Sequence, residues 1–370
     1  MEGLKVLGGK KIGMAISVIL SMVLLLGTQV SAVGVSTVFN GSYTTLFSDD
    51  FDTDYTVGDA PDYTANDKGP TNWSAYSTTD CNISVQYETG TSGNQVIKLL
   101  TNVSGANPKL DKVLDLSGNQ KITIDFKVKT QGRSFSVDLE ETATIKKTLF
   151  SCYSSYLNSP SSGSGTPLIT IGSAGTGYVN GSYWMDISLM VDLENNRFTT
   201  VLNGQTIMKD GVLFGTVTSP NPQTDFSNIK IRFISGAAAN QYLFLDDVSI
   251  RTTGNVVQVK DGQLYNGPFS NMFTLFTQKA LVLTDGEKYV QKSVVNEAEE
   301  DLPVTFIVAT YKAGVLTSVQ TESVTVLPRE SKLFMKSFTS SSATNDTVKI
   351  FLWDGINSMD PIDNSKAYTR

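Results

Sequence analysis

The strongest constraint on this chain is a period of two. Between residues 46 and 252, short runs alternate apolar and polar side chains, as in Asn82-Ile-Ser-Val-Gln-Tyr87, Gln95-Val-Ile-Lys-Leu99 and Lys121-Ile-Thr-Ile-Asp-Phe-Lys-Val128. A strand sends successive side chains to opposite faces, so each run has one face to bury and one to leave outside. Clusters of Gly, Asn, Ser and Pro separate the runs and supply the turns. No segment sustains the 3.6-residue period of an amphipathic helix. About a dozen strands in ~200 residues predict one large antiparallel sandwich.

A second β region follows. Residues 253–274 read as a linker with a possible extra strand at Val256–Val259. From 275 to 370, runs such as Tyr289–Val295, Pro303–Tyr311, Leu316–Val326 and Thr347–Trp353 predict six or seven strands, enough for a smaller sandwich. Pro303–Tyr311 is nearly all apolar and is expected as a central strand. Asp285-Gly286 and Ala313-Gly314 fall where hairpin turns are expected. Glu297, Glu299, Glu300 and Asp301 form an acidic loop that, by default, is solvated. The residues therefore predict an all-β chain, a large antiparallel β-sandwich followed by a smaller immunoglobulin/fibronectin-like β-sandwich; the resemblance described below implies that the larger one is a jelly roll.

Residues 1–32 read as a secretory signal peptide. Lys5, Lys10 and Lys11 precede an apolar run from Ile12 to Val30, and Val30-Ser31-Ala32 offers small residues for cleavage. A retained anchor is the alternative, since the run approaches spanning length. Residues 33–45 form a short leader. The expected localisation is extracellular, free or associated with a cell surface, with no membrane partner after cleavage.

The whole chain carries a net charge of −7; residues 1–32 hold three Lys and one Glu, so the remainder carries −9. That acidity argues against nucleic acid, whose phosphates require a basic face. The chain contains no His, which removes Ser-His-Asp and Cys-His machinery and His-ligated zinc. Any catalysis would use carboxylates, Tyr, Lys or Arg. Cys81 and Cys152 are the two thiols; in an exported chain they could form a disulfide or remain unpaired in the core.

Two segments set acid pairs among apolar residues. In Gln241-Tyr-Leu-Phe-Leu-Asp-Asp-Val-Ser-Ile250, strict alternation puts Asp246 on one face with Phe244, Val248 and Ile250. In Leu46-Phe-Ser-Asp-Asp-Phe51, Asp49 shares a face with Phe47 and Phe51. A carboxylate on an apolar face needs a partner. First and last strands of a sandwich often lie side by side, which would bring Asp49 and Asp246 together with Asp50 and Asp247 nearby. Three readings stand open: a structural calcium ligated by Asp49 and Asp246, caps on backbone N–H groups, or a catalytic pair. Asp138 and Glu140 also share a strand face, but the segment lacks the Glu-x-Asp-x-(x)-Glu spacing of jelly-roll glucanases and reads as surface charge. Tyr153, Tyr156, Tyr178 and Tyr183 lie in loop-rich stretches and are candidates for stacking on sugar rings. Trp353 is read as a core residue of the second β region.

Several motifs occur together in order: Phe47-Ser-Asp-Asp-Phe51, Val57-Gly58, Pro61, Trp73, the Asn94–Leu99 strand, Trp184–Asp192, Phe198–Gly204 and Asp246-Asp247-Val248. Residues 46–252 thereby resemble the concanavalin-A-like or carbohydrate-binding jelly rolls of bacterial secreted glycan-processing proteins. Phe306–Tyr311 and Val348-Lys-Ile-Phe-Leu-Trp-Asp354, with Met359-Asp-Pro361, resemble an accessory module at the ends of extracellular clostridial-type proteins, where the Phe-Leu-Trp-Asp strand ends the domain. These resemblances imply that Trp73 and Trp184 pack in the core, and they imply a non-catalytic binder of polysaccharide or cell-wall glycan. The alternatives are a polysaccharide hydrolase or lyase working with carboxylate, Tyr or Lys, and a structural cell-surface protein.

Overall fold

The structure is a computed structural model that describes residues 43–52, 55–58, 73–76, 79–88, 93–116, 119–131, 134–140, 146–153, 156–158, 169–170, 184–213, 229–236, 238–253, 257–267, 279–355, 360–363 and 365–370. The segments read as signal peptide and as most of the leader lie outside them. The all-β reading is what the molecule has. The described strands assemble into antiparallel sheets of eight, seven, four and five strands. Among the described residues no helix is long and apolar enough to cross a membrane.

The eight- and seven-stranded sheets stack on one core. In the eight-stranded sheet the strands run in the order Gln205–Val212, Arg197–Leu202, Met185–Asp192, Lys121–Gln131, Gln241–Thr252, Gln95–Thr101, Cys81–Tyr87, and Thr45–Asp49 also pairs with Gln241–Thr252. Ile122, Ile124, Phe126 and Val128 face inward from their strand, as the alternation requires. They meet Phe233, Ile231, Val137 and Leu139 of the opposite sheet, with Phe126 edge-on to Phe233 at 5.1 Å. Trp73 is buried between Phe47 and Phe233.

Gln241–Thr252 does not alternate strictly. Its register against Lys121–Gln131 slips between Asp246 and Ser249, and Asp247 takes a left-handed φ of 48°. This bulge inserts a residue and reverses the facing beyond it. Leu243 and Leu245 point into the core before the bulge, and Val248 and Ile250 do so after it. Phe244 and Asp246 therefore face outward, opposite to Val248 and Ile250. Uninterrupted alternation had grouped all four.

The second sandwich pairs a four-stranded sheet with a five-stranded one around Phe306, Phe334, Val294 and Leu352; Phe306 stacks on Phe334 at 5.2 Å. Val257–Asn266 pairs with Gly286–Asn296 over most of its length, so it belongs to this sandwich and the passage between the sandwiches shrinks to 253–256. Leu302–Lys312 is central and apolar on both faces, and Ala313-Gly314, both with positive φ, turns it into Val315–Val326. The Phe-Leu-Trp-Asp strand is not the last one: Lys366–Thr369 returns to pair with Thr347–Ile350. Cys81 is buried, its Sγ 3.9 Å from the Tyr76 carbonyl oxygen. The Cys152 side chain lies outside the described residues.

Candidate functional site: the outer face of the larger sheet

The outward side chains of the eight-stranded sheet form one surface with two halves. The strand Gln241–Thr252 crosses both, beginning in one and ending in the other.

The half around Arg251 is covered by the second sandwich. Arg251 donates through Nη1 to Glu297 Oε2 at 2.7 Å and sits 3.2 Å from Asp125, with Thr123 Oγ1 3.4 Å from Glu297. The Glu297 side chain is fully buried, and burial raises its pKa although Arg251 works the other way. Arg329 reaches back from the second sandwich to the Met190 carbonyl (3.4 Å), Asp192 (3.6 Å) and Asp210 (3.3 Å). Met190, Val201 and Val295 add a small apolar cluster across the junction. Glu299 pairs with Arg197 at 3.2 Å and with Lys121 at 3.3 Å. The acidic loop read as solvated is exposed at Glu299, Glu300 and Asp301, but Glu297 is buried and is the plug that joins the sandwiches. Asn203-Gly204 tucks under it: a Cβ on Gly204 would lie 2.5 Å from Ser293 Cβ, and its φ is +80°.

The other half is not covered in this way. Tyr242 and Phe244 lie with ring centroids 4.7 Å apart. Lys98, the register partner of Phe244, holds its ammonium 4.8 Å from the Tyr242 ring centre and 6.0 Å from that of Phe244. Burial lowers the pKa of Lys98. On the other side of Phe244, Lys129 lies 5.9 Å from the Trp184 ring. Glu88 ties this edge together, accepting from Trp184 Nε1 at 2.7 Å, Lys129 Nζ at 3.1 Å and Asn94 Nδ2 at 3.4 Å. The same Asn94 amide donates to Asp246 Oδ2 at 3.1 Å, while Asp246 Oδ1 accepts from the Asp247 N–H at 2.9 Å. Burial pushes the Asp246 carboxyl up to about 6, against the Asn94 bond and with the help of Asp247. Lys127 pairs with Asp247; burial opposes its charge, but Asp247, Asp186 and Asp246 outweigh that and raise its pKa. Next to Lys98, on the outermost strand, Gln86 donates to Ser84 at 3.1 Å.

Asp49 and Asp246 do not come together. Asp49 is the register partner of Val248, which points into the core, so it faces inward while Asp246 faces outward. Asp49 accepts from the Tyr55 hydroxyl (2.6 Å), Trp73 Nε1 (3.0 Å) and the Phe51 N–H (2.9 Å), and burial raises its pKa despite these bonds. Each of the two carboxylates accepts a backbone N–H at a bend, as a cap does. Among the described residues no group of three or more acidic or thiol side chains could hold a metal ion. Asp138 and Glu140 face outward from the seven-stranded sheet. Glu140 accepts from Arg232 at 2.6 Å, and Arg232 grips Asp111 through two bonds of 2.7 and 2.8 Å. Tyr153 and Tyr156 are register partners on adjacent strands, their side chains outside the described residues, where Tyr178 and Tyr183 also lie. Trp184, read as core, precedes inward Met185 by one residue and bonds to Glu88 on the outer side. Lys98, Tyr242, Glu88 and Asn94 were not singled out from the sequence. Placing the bulge at Asp246-Asp247 is the signal that would have found the first two.

No protein family and no curated protein matches the chain. Solved structures similar to it include one described as "Cellulose induced protein, Cip1", 19% identical, with a TM-score of 0.35 over 55% of this chain and 96% of that one. Another is the CBM22-1 xylan-binding domain from Paenibacillus barcinonensis Xyn10C, 12% identical, with a TM-score of 0.28 over 56% of this chain and 94% of that one. A sialidase is 11% identical with a TM-score of 0.34 over 49% of this chain, which spans 17% of the sialidase. Likenesses this distant assign no family to the chain.

Proposed function

We propose that this is an exported, non-catalytic protein that binds polysaccharide or cell-wall glycan on the open half of the outer face of its larger sheet. The observation that carries the reading is the row Lys98, Tyr242, Lys129 and Trp184, backed by the buried Phe244, which sets half-buried aromatic rings between polar groups on one sheet face. Sugar rings present C–H faces and a rim of hydroxyls, so they bind where an aromatic surface is edged by donors and acceptors. Gln86, Ser84, Asn94 and Glu88 supply that edge. Among the described contacts the second sandwich, joined to the covered half, does not reach this row. Pull-downs of the whole secreted chain with cellulose, xylan, pectin and peptidoglycan test the proposal. Retention by at least one polymer, weakened by Trp184→Ala and by Tyr242→Ala, supports it; passage through all of them removes it.

One observation favours a second reading, a polysaccharide hydrolase or lyase. Asp246 and Glu88 share the Asn94 amide, and Asp246 is poised to hold or release a proton near pH 6. That reading expects soluble reducing or unsaturated ends from a polymer, lost in both Asp246→Asn and Glu88→Gln.

A further inference from the structure

Three lysines stand on the open half of the sheet, and their surroundings differ. Lys127 is paired with Asp247, and Lys129 with Glu88. Lys98 is only partly exposed, yet no described residue offers it a carboxylate; its neighbours are the Tyr242 and Phe244 rings, with Ser84 its register partner on the next strand. A half-buried ammonium without a counter-charge is costly, and ring faces return only part of the hydration it loses. The cost is recovered when a ligand brings the missing anion, and a charge-assisted bond in a partly desolvated place is stronger than a neutral one. Because the Lys98 ammonium lies over the ring on which a sugar would stack, a stacked sugar displaces it on its flexible stem toward the sugar's own edge, and that anion belongs on the sugar itself.

We propose that Lys98 makes this face selective for polysaccharides that carry a uronate, with the sugar ring on Tyr242 and its carboxylate on the Lys98 ammonium. This rests on the glycan-binding reading above and names its substrate class. The net charge of −9 left once residues 1–32 are removed does not oppose it at physiological salt, where charges beyond about 8 Å are largely screened and the local cation decides.

The experiment is affinity electrophoresis or calorimetry of the whole secreted chain against polygalacturonate and glucuronoxylan, neutral unsubstituted xylan and mixed-linkage glucan, and dextran sulfate. The expected result is at least about tenfold tighter binding to the uronate polymers than to the neutral ones, a preference that shrinks as salt rises. Lys98→Met abolishes that preference and Lys98→Arg keeps it, with melting temperatures confirming that both fold. Equal affinity for uronate and neutral polymers, or an unchanged preference in Lys98→Met, overturns the inference and leaves the glycan-binding proposal standing. Binding to dextran sulfate but not to the uronate polymers overturns it as well, since charge alone would then be recognised. Failure to bind any polymer removes both. Should Lys98→Met not fold, the comparison of polymers with the unmodified chain still decides.

Discussion

Along the strand Gln241–Thr252 the outer face changes character between its two ends. At the far end Arg251 meets Glu297 of the second sandwich, and both side chains are buried. At the near end Lys98, Lys127 and Lys129 stand among Tyr242, Phe244 and Trp184, with nothing of the second sandwich above them among the described contacts. The ingredients are alike in both halves: strand-borne cations, carboxylates and a few apolar side chains. What differs is the origin of the counter-charge. In the covered half the two sandwiches supply it to each other, Glu297 to Arg251 beside the sheet's own Asp125, and Asp192 and Asp210 to Arg329, and the junction seals the Arg251–Glu297 pair from water. In the open half the sheet and its loops supply it for two lysines of the three. A sheet face becomes a junction or a binding surface according to what completes its charges.

The largest effect is expected in the covered half. Removing one member of a buried ion pair strands the other, which typically costs about 3–5 kcal/mol. Arg251→Ala is therefore expected to lower the unfolding free energy by that order, measured by urea denaturation, with Glu297→Ala close behind. The double change Arg251→Met with Glu297→Leu is expected to recover most of the loss, because neither charge is then left alone. A single-mutant loss under about 1 kcal/mol would break the contrast, since the junction would then be no drier than the open face.

Gly204 tests the same junction by shape. A methyl there would overlap Ser293 and sit at a φ that L-residues avoid, so Gly204→Ala is expected to cost about 2 kcal/mol. Thermal unfolding reads it. Ser293→Gly in the same chain should return only the steric part, and full recovery would show that the backbone conformation carries no cost.

In the open half the expected effect is on affinity. Tyr242→Ala should weaken binding to a retained polymer about tenfold, equivalent to ~1.4 kcal/mol, measured by affinity electrophoresis. The same variant should leave the effect of Arg251→Ala on stability unchanged, because sites that share no partners add. If the polymer is held as firmly without Tyr242, the open half is an ordinary solvated surface and the two halves differ only in cover.

Much of the architecture was legible because a period of two is visible in any strand with one buried face: Lys121–Val128 and Ile229–Ile234 could be placed without coordinates. The candidate site was not, and the reason is local. A bulge adds one residue without an apolar signature, so Asp246-Asp247 read as ordinary alternation and sent Phe244 and Asp246 to the wrong side. Trp184 was taken for a core residue because it matches a position that packs in the core of the resembled jelly rolls, although the Met185-x-Ile-x-Leu189 phase puts it outside. Glu297 looked solvated because its neighbours are acidic, and only the approach of Arg251 from a strand 46 positions away along the sequence gives it a reason to be buried. Each miss depends on a partner or a register that single-residue chemistry does not encode.

The smallest expected effect concerns Asp246, which lies under Asn94 on the open half. Burial holds its folded pKa at about 6, above the 3.8 of an unperturbed aspartate. Between those values the folded protein keeps a proton that the unfolded chain releases, so the group favours folding most at acid pH and that contribution is lost as pH rises through about 6. Asn cannot ionise, and its side-chain oxygen can still accept the Asp247 N–H. Asp246→Asn is therefore expected to gain on the unmodified chain as pH rises, by about 1 kcal/mol at pH 7.5 after allowance for solvent screening, and to show no gain at pH 4 beyond any constant offset. Urea unfolding at pH 4, 5, 6 and 7.5 measures the difference. A difference that stays flat across this range would mean that Asp246 is hydrated and ionised like any surface acid, and would end its candidacy as a proton donor in the second reading. A difference that grows with pH would sharpen the contrast between the halves, because the buried acid at the junction, Glu297, has Arg251 bonded to it, while Asp246 accepts from an amide and a backbone N–H and feels the Lys127 charge only at a distance.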